Sequence, residues 1–369
     1  MKKAFVILLI LTLLFGGCQT KREVNESNTY HKLLPNFQYF QMMDKNNGWA
    51  IAEDMGENKA FITIDGGSTW ITQSVSYIGD IRSWFFMDSN HAWILYSNEI
   101  LYPNGMLYRT ENRGKNWYDD KVPFDMGKLF FLNSNGTYQG WFLKEDGNAS
   151  GNVPVDVYRL INNKWALIHK GELPNNTLAS SNPLPYEGDK KSFIFLPDAK
   201  TGFVAIERQD PGKSSLYMTS DGGYTWYKKN IPLLSKLSDK HISVYSLKFV
   251  DGEIIWPISG FDHVKNNFSI LFLVSKDNGN SWEEKASLIY SSSPREIYVL
   301  DKENWYVLFE NQLLKTNNGG HTWKKINVPQ GTFQIQFIDN KTGWALALTS
   351  KWTNIFFTKD GGYKWEKKF

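Results

Sequence analysis

The chain has 369 residues, with 41 Lys plus Arg against 38 Asp plus Glu, a formal charge of +3. So near a balance sets up no field for polyanions and argues against nucleic acid as the partner. Aromatics make up 15% of the chain, including 15 Trp, which excludes a mostly disordered polypeptide, and the one cysteine excludes both an intrachain disulfide and a Cys-rich zinc site.

Lys2 and Lys3 precede an apolar run over residues 4–15, followed by Gly16-Gly17-Cys18. The run is too short to cross about 30 Å of hydrocarbon at 1.5 Å per residue and reads as the core of a signal peptide. Leu14-Phe15-Gly16-Gly17-Cys18 resembles the lipobox of bacterial lipoproteins, with Phe15 where Leu is usual. The resemblance implies cleavage before Cys18, lipidation of its thiol, and a protein held by lipid on the outer face of the bacterial cytoplasmic membrane. Residues 1–17 are thus expected to be a signal peptide. Residues 18–35 are expected to carry the lipidated Cys18, a polar tether and a latch strand.

From residue 36 onward one pattern recurs. Thr63-Ile-Asp65-Gly-Gly67-Ser-Thr69-Trp70 returns around Asp221 and Trp226, and around Asp277 and Trp282. Weaker copies carry Asn112 with Trp117, Asn318 with Trp323, and Asp360 with Trp365, and a degenerate one ends at Trp165. A second series alternates with the first, an aromatic opening a strand after a turn: Trp49, Trp93, Trp141, Phe203, Trp256, Trp305 and Trp344. Each unit reads as four short strands; in the last, residues 333–338, 344–348, 355–358 and 365–368. A lone four-stranded sheet cannot bury both faces, and about 48 residues per unit is propeller spacing. The expectation is an all-β chain, a seven-bladed β-propeller of four-stranded antiparallel blades over residues 36–369.

The recurring units resemble Asp-boxes, or BNR repeats, which occur in sialidases, sortilin-type receptors, xyloglucanase-type hydrolases and photosystem II assembly factors of the Ycf48/Hcf136 type. Residues 337–344, Phe-Ile-Asp-Asn-Lys-Thr-Gly-Trp, paired with the box at Asp360, most resemble the last group. The resemblance implies fold more than function, because such boxes serve the scaffold. The structural reading therefore covers Asp65, Asn112, Asp221, Asp277, Asn318 and Asp360. Asn shares the slot with Asp, so the position does not require a charge, and no EF-hand glutamate follows. No metal and no cofactor is expected.

Enzyme signatures are scarce. None of the seven Arg lies in the Arg-Ile-Pro of sialidases, the six His form no close pair in sequence, and there is no Gly-x-Ser-x-Gly elbow. In a propeller the D–A and B–C loops gather at one mouth of the channel, and residues 97–106, 144–155, 207–215 and 259–269 read as long B–C loops. Asp80, Arg82, His241, Arg295 and Glu296, near the starts of first strands, and Asp262 and His263, on a B–C loop, are the candidate binding residues. Residues 29–35 are expected to lie beside the last blade and latch the ring.

Two functions compete. The first is a membrane-anchored extracytoplasmic binding or assembly module, a monomer presenting its loop face to a protein, peptide or glycan. The alternative is a glycoside hydrolase, which needs two opposed carboxylates.

Overall fold

The computed structural model describes residues 35–73, 75, 79–98, 102–134, 136–145, 155–171, 184, 190–207, 211–212 and 214–369. They form seven antiparallel sheets of sequence-consecutive strands, spanning residues 36–73, 80–122, 127–169, 190–229, 241–290, 296–327 and 332–367. This is the seven-bladed propeller expected from the repeats. Among the described residues no helix is long and apolar enough to cross a membrane. The signal peptide, Cys18, the tether and all of the expected latch except Pro35 lie outside the described residues.

The second strand of each blade is buried on both faces, which is why its sequence is apolar without alternation: Gly343–Thr349 reads GWALALT with its first five residues buried. The aromatic near its start is the largest side chain between blades. Trp49, Trp141, Trp256, Trp305 and Trp344 are all at most 1% exposed. Adjacent blades share each apolar cluster; Trp256 of blade 5 packs with Phe203 of blade 4, and Trp344 of blade 7 with Phe40 of blade 1. Burying one such indole contributes on the order of 4–6 kcal/mol before entropy is counted.

The C–D hairpins hold themselves together. Thr219 Oγ1 donates to Asp221 Oδ1 at 2.8 Å and accepts from Gly223 N at 3.0 Å; Thr225 Oγ1 donates to Asp221 Oδ2 at 2.6 Å. Gly222 and Gly223 stand at φ of 81° and 102°, where a side chain would be strained. Trp226 Nε1 then donates to Gly223 O at 2.9 Å. Asp65 and Asp277 repeat the arrangement, and Asn112, Asn318 and Asp360 keep its central bonds. The A–B turns use a second aspartate motif: Asp339 Oδ1 accepts from Lys341 N and Thr342 N, as Asp44 does from Asn46 N and Asn47 N.

The strand bounds agree with the expected B–C loops of blades 3 and 4, but those of blades 2 and 5 are shorter than the sequence suggests. Strand Glu253–Asp262 pairs with Asn267–Ser275 out to Asp262↔Asn267, leaving only a turn over 263–266 where 259–269 was read as loop. Phe261 and Phe268 pair across that extension, and their β preference outweighs the polar residues around them. In blade 2 pairing likewise resumes at Asn98↔Tyr102.

Among the described residues the ring is closed by side chains between the inner strands of blades 7 and 1. The inner strand of every blade has one edge facing the channel, with backbone groups that no strand pairs. On these strands, residues facing the preceding blade are apolar and several facing the following blade are polar. Gln334 exchanges bonds of 3.1 and 2.7 Å with Phe40 N and O, and Gln336 exchanges bonds of 2.6 and 2.7 Å with Met42 N and O. Those two amides stand in for a missing strand between blades 7 and 1. The same device recurs around the axis. Gln41 Nε2 donates to Phe86 O, Ser83 Oγ accepts from Leu129 N, Ser192 Oγ from Leu247 N and Glu296 Oε2 from Ile335 N, while Tyr298 OH donates to Phe337 O.

Candidate functional site

The inner strands enclose a central cavity of about 570 Å³. Its wall comes from blades 1, 3, 4, 5, 6 and 7 and is mostly polar: Tyr39, Gln41, Lys128, Ser192, Tyr245, Ser246, Lys248, Arg295, Glu296, Tyr298, Gln334 and Gln336. A second cavity of about 410 Å³ lies among the B–C and D–A turns of blades 6 and 7, lined by Arg295, Glu310, Asn311, Gln330, Gly331 and residues 348–350. Arg295 lines both. It is fixed there by donating to Thr332 O at 3.3 Å and to Glu310 Oε1 at 3.4 Å, across the seam between blades 6 and 7. The Arg295 guanidinium thus stands between the central cavity and the turns of the loop face.

The cavity shifts its own titratable groups. Glu296 is the one carboxyl among the described residues lining it; burial pushes it up to about 8, only partly opposed by the Ile335 N–H, so at neutral pH it is mainly the neutral acid. Burial also raises Tyr39 and Tyr298, and takes Tyr245 to about 12, keeping these phenols protonated. Burial lowers Lys248.

The seven residues singled out from sequence fall into three groups rather than one contiguous patch. Asp80 and Arg82 form an ion pair of 3.5 Å at the start of blade 2, where a bulge between Ile81 and Ser83 displaces Arg82 from the ladder. His241, Asp262 and His263 belong to blade 5. The two imidazoles are exposed and their ring centres lie 5.2 Å apart. Asp262 does not project from a loop: it is buried, and its carboxylate accepts from Val264 N and Lys265 N and faces Lys240 Nζ at 3.3 Å. The Lys265 N–H, followed by the Lys240 ammonium, holds it below the usual range. Asp262 shapes the turn that carries His263. Arg295 and Glu296 alone of the seven line the central cavity.

Blade 5 carries one feature that no sequence motif marks. His241, Phe261, Phe268 and Tyr290 pair in register across its four strands, one ring per strand. Directly paired residues point to the same side of a sheet, so the rings form a row about 14 Å long toward blade 6. Tyr290 is seated by stacking on Phe309 at 3.9 Å and by its hydroxyl to Gln312. The channel-facing residues missed from sequence, Lys248, Gln334, Gln336, Tyr39 and Tyr298, do leave a signal. It is the polar member of the inner-strand alternation, as in Gln334-Ile335-Gln336.

The hairpin aspartates lie at the opposite end of the strands, and their acceptor oxygens are spent on their own turns. For Asp65, partial burial is the largest single influence and opposes the charge, yet the Thr69 hydroxyl and N–H and the Thr63 hydroxyl together hold the group below its ordinary value. For Asp277 the Ser281 hydroxyl leads, and the group falls to about 2. Among the described residues no cluster of three His, Cys, Asp or Glu could hold a metal ion.

Fold and site together define a seven-bladed propeller with a polar axial cavity. No protein-family model matches the chain. The xyloglucanase Xgh74A of Acetivibrio thermocellus is 23% identical over 279 residues, covering 65% of this chain, which spans only 31% of that protein's length. Among solved structures, YCF48 bound to a D1 peptide superposes with a TM-score of 0.56 at 15% identity, over 88% of this chain and 93% of that one. YCF48 from Cyanidioschyzon merolae gives 0.53 at 15% identity, over 89% and 94%. A chain from a study of two prolyl endopeptidases gives 0.59 at 10% identity, over 90% and 49%. At these identities the likeness is one of fold.

Proposed function

We propose that this protein is a non-catalytic binding module that presents its B–C and D–A face to a protein or peptide, held at the outer face of a bacterial cytoplasmic membrane by a lipid on Cys18. The observation that carries the reading is the polar cavity at the axis and a second one among the turns of blades 6 and 7, with Arg295 on the wall of both. A propeller of similar fold, YCF48, is described with a D1 peptide bound. The Asp-box resemblance fits a scaffold role for the hairpins, since Asp65, Asp221 and Asp277 each engage both carboxylate oxygens in their own turns.

The test is a crosslinking pulldown from intact cells with the full-length protein. The double substitution Arg82→Ala with Arg295→Ala is expected to reduce capture at least tenfold while the melting temperature falls by less than about 3 °C, because both arginines make only partly exposed pairs. Undiminished capture refutes the role of the loop face. Metabolic labelling with a fatty-acid analogue, lost in Cys18→Ser, tests the anchor separately.

The xyloglucanase match and the ring row of blade 5 favour a second reading, a glycan-acting protein. Hydrolysis of xyloglucan by the purified protein would decide for it. A glycosidase needs two carboxyls, whereas the described lining of the central cavity holds one.

A further inference from the structure

Most polar groups on the wall of the central cavity are already spent. Gln334 and Gln336 use both ends of their amides on blade 1, Tyr298 donates to Phe337 O, Tyr245 donates to Pro294 O, and Glu296 accepts from Ile335 N. Lys248 is different. Among the described residues its ammonium, exposed toward the cavity, has neither a carboxylate nor a hydrogen-bond acceptor.

The backbone that delivers Lys248 is also unlike the others. The inner strand of blade 5 is broken in two, His241–Val244 and Lys248–Val250, both paired to Glu253–Asp262. At the break Val244 N donates to Glu207 and Leu247 N to Ser192 Oγ, both of blade 4, while Tyr245 N still donates to Pro257 O of its own blade. Lys248 is the first residue to rejoin the ladder, opposite Ile255. Interruptions of this kind re-aim side chains.

The charge count points the same way. Lys128, Lys248 and Arg295 face the cavity, against the single carboxyl of Glu296. Arg295 has donated one N–H from each terminal nitrogen and keeps further donors. The wall is therefore rich in donors and cations and poor in free acceptors. A cation that no group of the wall pairs is free to take a bound counter-charge, and a ligand held that way stabilises the folded protein by mass action. The volume suits a small molecule, within roughly 300–1,000 Å³ for such sites.

We propose that the central cavity is a binding site for a small anion, a carboxylate or phosphate group, received by the Lys248 ammonium with Arg295 at the entrance. The inference rests on the cavity and stands apart from the partner reading of the loop face. The anion has two sources, a free metabolite-sized acid or the terminal carboxylate of a chain threaded into the channel.

The experiment is calorimetric titration and thermal unfolding of the full-length protein with four probes: inorganic phosphate, succinate, penta-alanine with a free carboxylate, and penta-alanine amide. The wild type is expected to gain roughly 2–4 °C at about ten times Kd with at least one anionic probe and nothing with the amide. Response to phosphate or succinate identifies a free acid, and response to the free-carboxylate peptide alone identifies a chain end. Lys248→Met is expected to weaken binding at least tenfold while melting within about 2 °C of the wild type without ligand, because the exposed ammonium holds no other group in place. Lys248→Arg is expected to keep most of the affinity. Lys248→Gln replaces Lys248→Met if the latter does not fold. No response to any anion, or equal responses in the wild type and the uncharged variant, overturns the proposal, and neither result bears on the capture experiment with Arg82 and Arg295.

Discussion

The two ends of the propeller spend their polar groups in opposite ways. At the A–B and C–D end, side chains bond backbone two to four residues away: Asp65 to Ser68 and Thr69, Asp339 to Lys341 and Thr342. At the axis, side chains reach the next blade, as Gln336 reaches Met42 across 294 residues of sequence, or have no partner among the described residues, as with Lys248. The first end is a repeated local solution that any blade can carry alone. The second exists only once all seven blades are assembled, so it is where the protein can differ from others of the same fold.

Breaking that contrast should show it in the size of the effect. Gln334→Ala with Gln336→Ala removes four bonds at the closing seam and leaves the inner edge of blade 1 unsatisfied, for an expected loss of about 2–5 kcal/mol in urea unfolding. A hairpin change is local and smaller. Asp221→Ala is expected to cost about 1–3 kcal/mol, and Asp221→Asn under about 1 kcal/mol, since Asn318 serves the slot by donating from Nδ2 to Thr322 Oγ1 at 2.9 Å. If Asp221→Asn proves as harmful as Asp221→Ala, the hairpin charge has a role beyond its turn.

The two ends should also answer pH with opposite signs. The hairpin and A–B aspartates have folded values below the unfolded 3.8, so their stabilisation is complete above about pH 4 and drains away as pH falls toward 2. Glu296 is raised from 4.5 to about 8, so the folded state is favoured below pH 4.5 and loses that advantage as pH rises through 8. Glu296→Gln should flatten the melting temperature between pH 5 and 8 and leave the acid limb unchanged. A wild-type profile already flat across that range would mean that Glu296 ionises freely.

The fold could be read in the sequence because it repeats. Seven tryptophan-marked hairpins alternating with seven strand-opening aromatics leave little freedom in blade number, and short connections do the rest. The site was less legible for a physical reason. Polarity places Asp262 and His263 in a loop, but the Phe261–Phe268 pair extends the ladder to Asp262↔Asn267 and leaves only a turn for His263. Nothing in the single strand around Lys248 shows that its neighbours spend their polar groups elsewhere. Glu296 stands near a strand start in the sequence, but only the assembled blades bury it enough to keep it mainly neutral.

The closing seam has a mechanical consequence. Phe37 packs edge-on to Phe369 at 5.2 Å, and Asn36 Oδ1 accepts from Thr353 N and Oγ1. The two ends of the propeller are therefore neighbours, and tension applied through the segment before Pro35 falls first on an inner strand tied to blade 7 by glutamine amides and packed rings. Pulled from that end, the molecule should yield at the junction of its first and last blades, peeling blade 1 inward from the axis, while the five blades between remain folded.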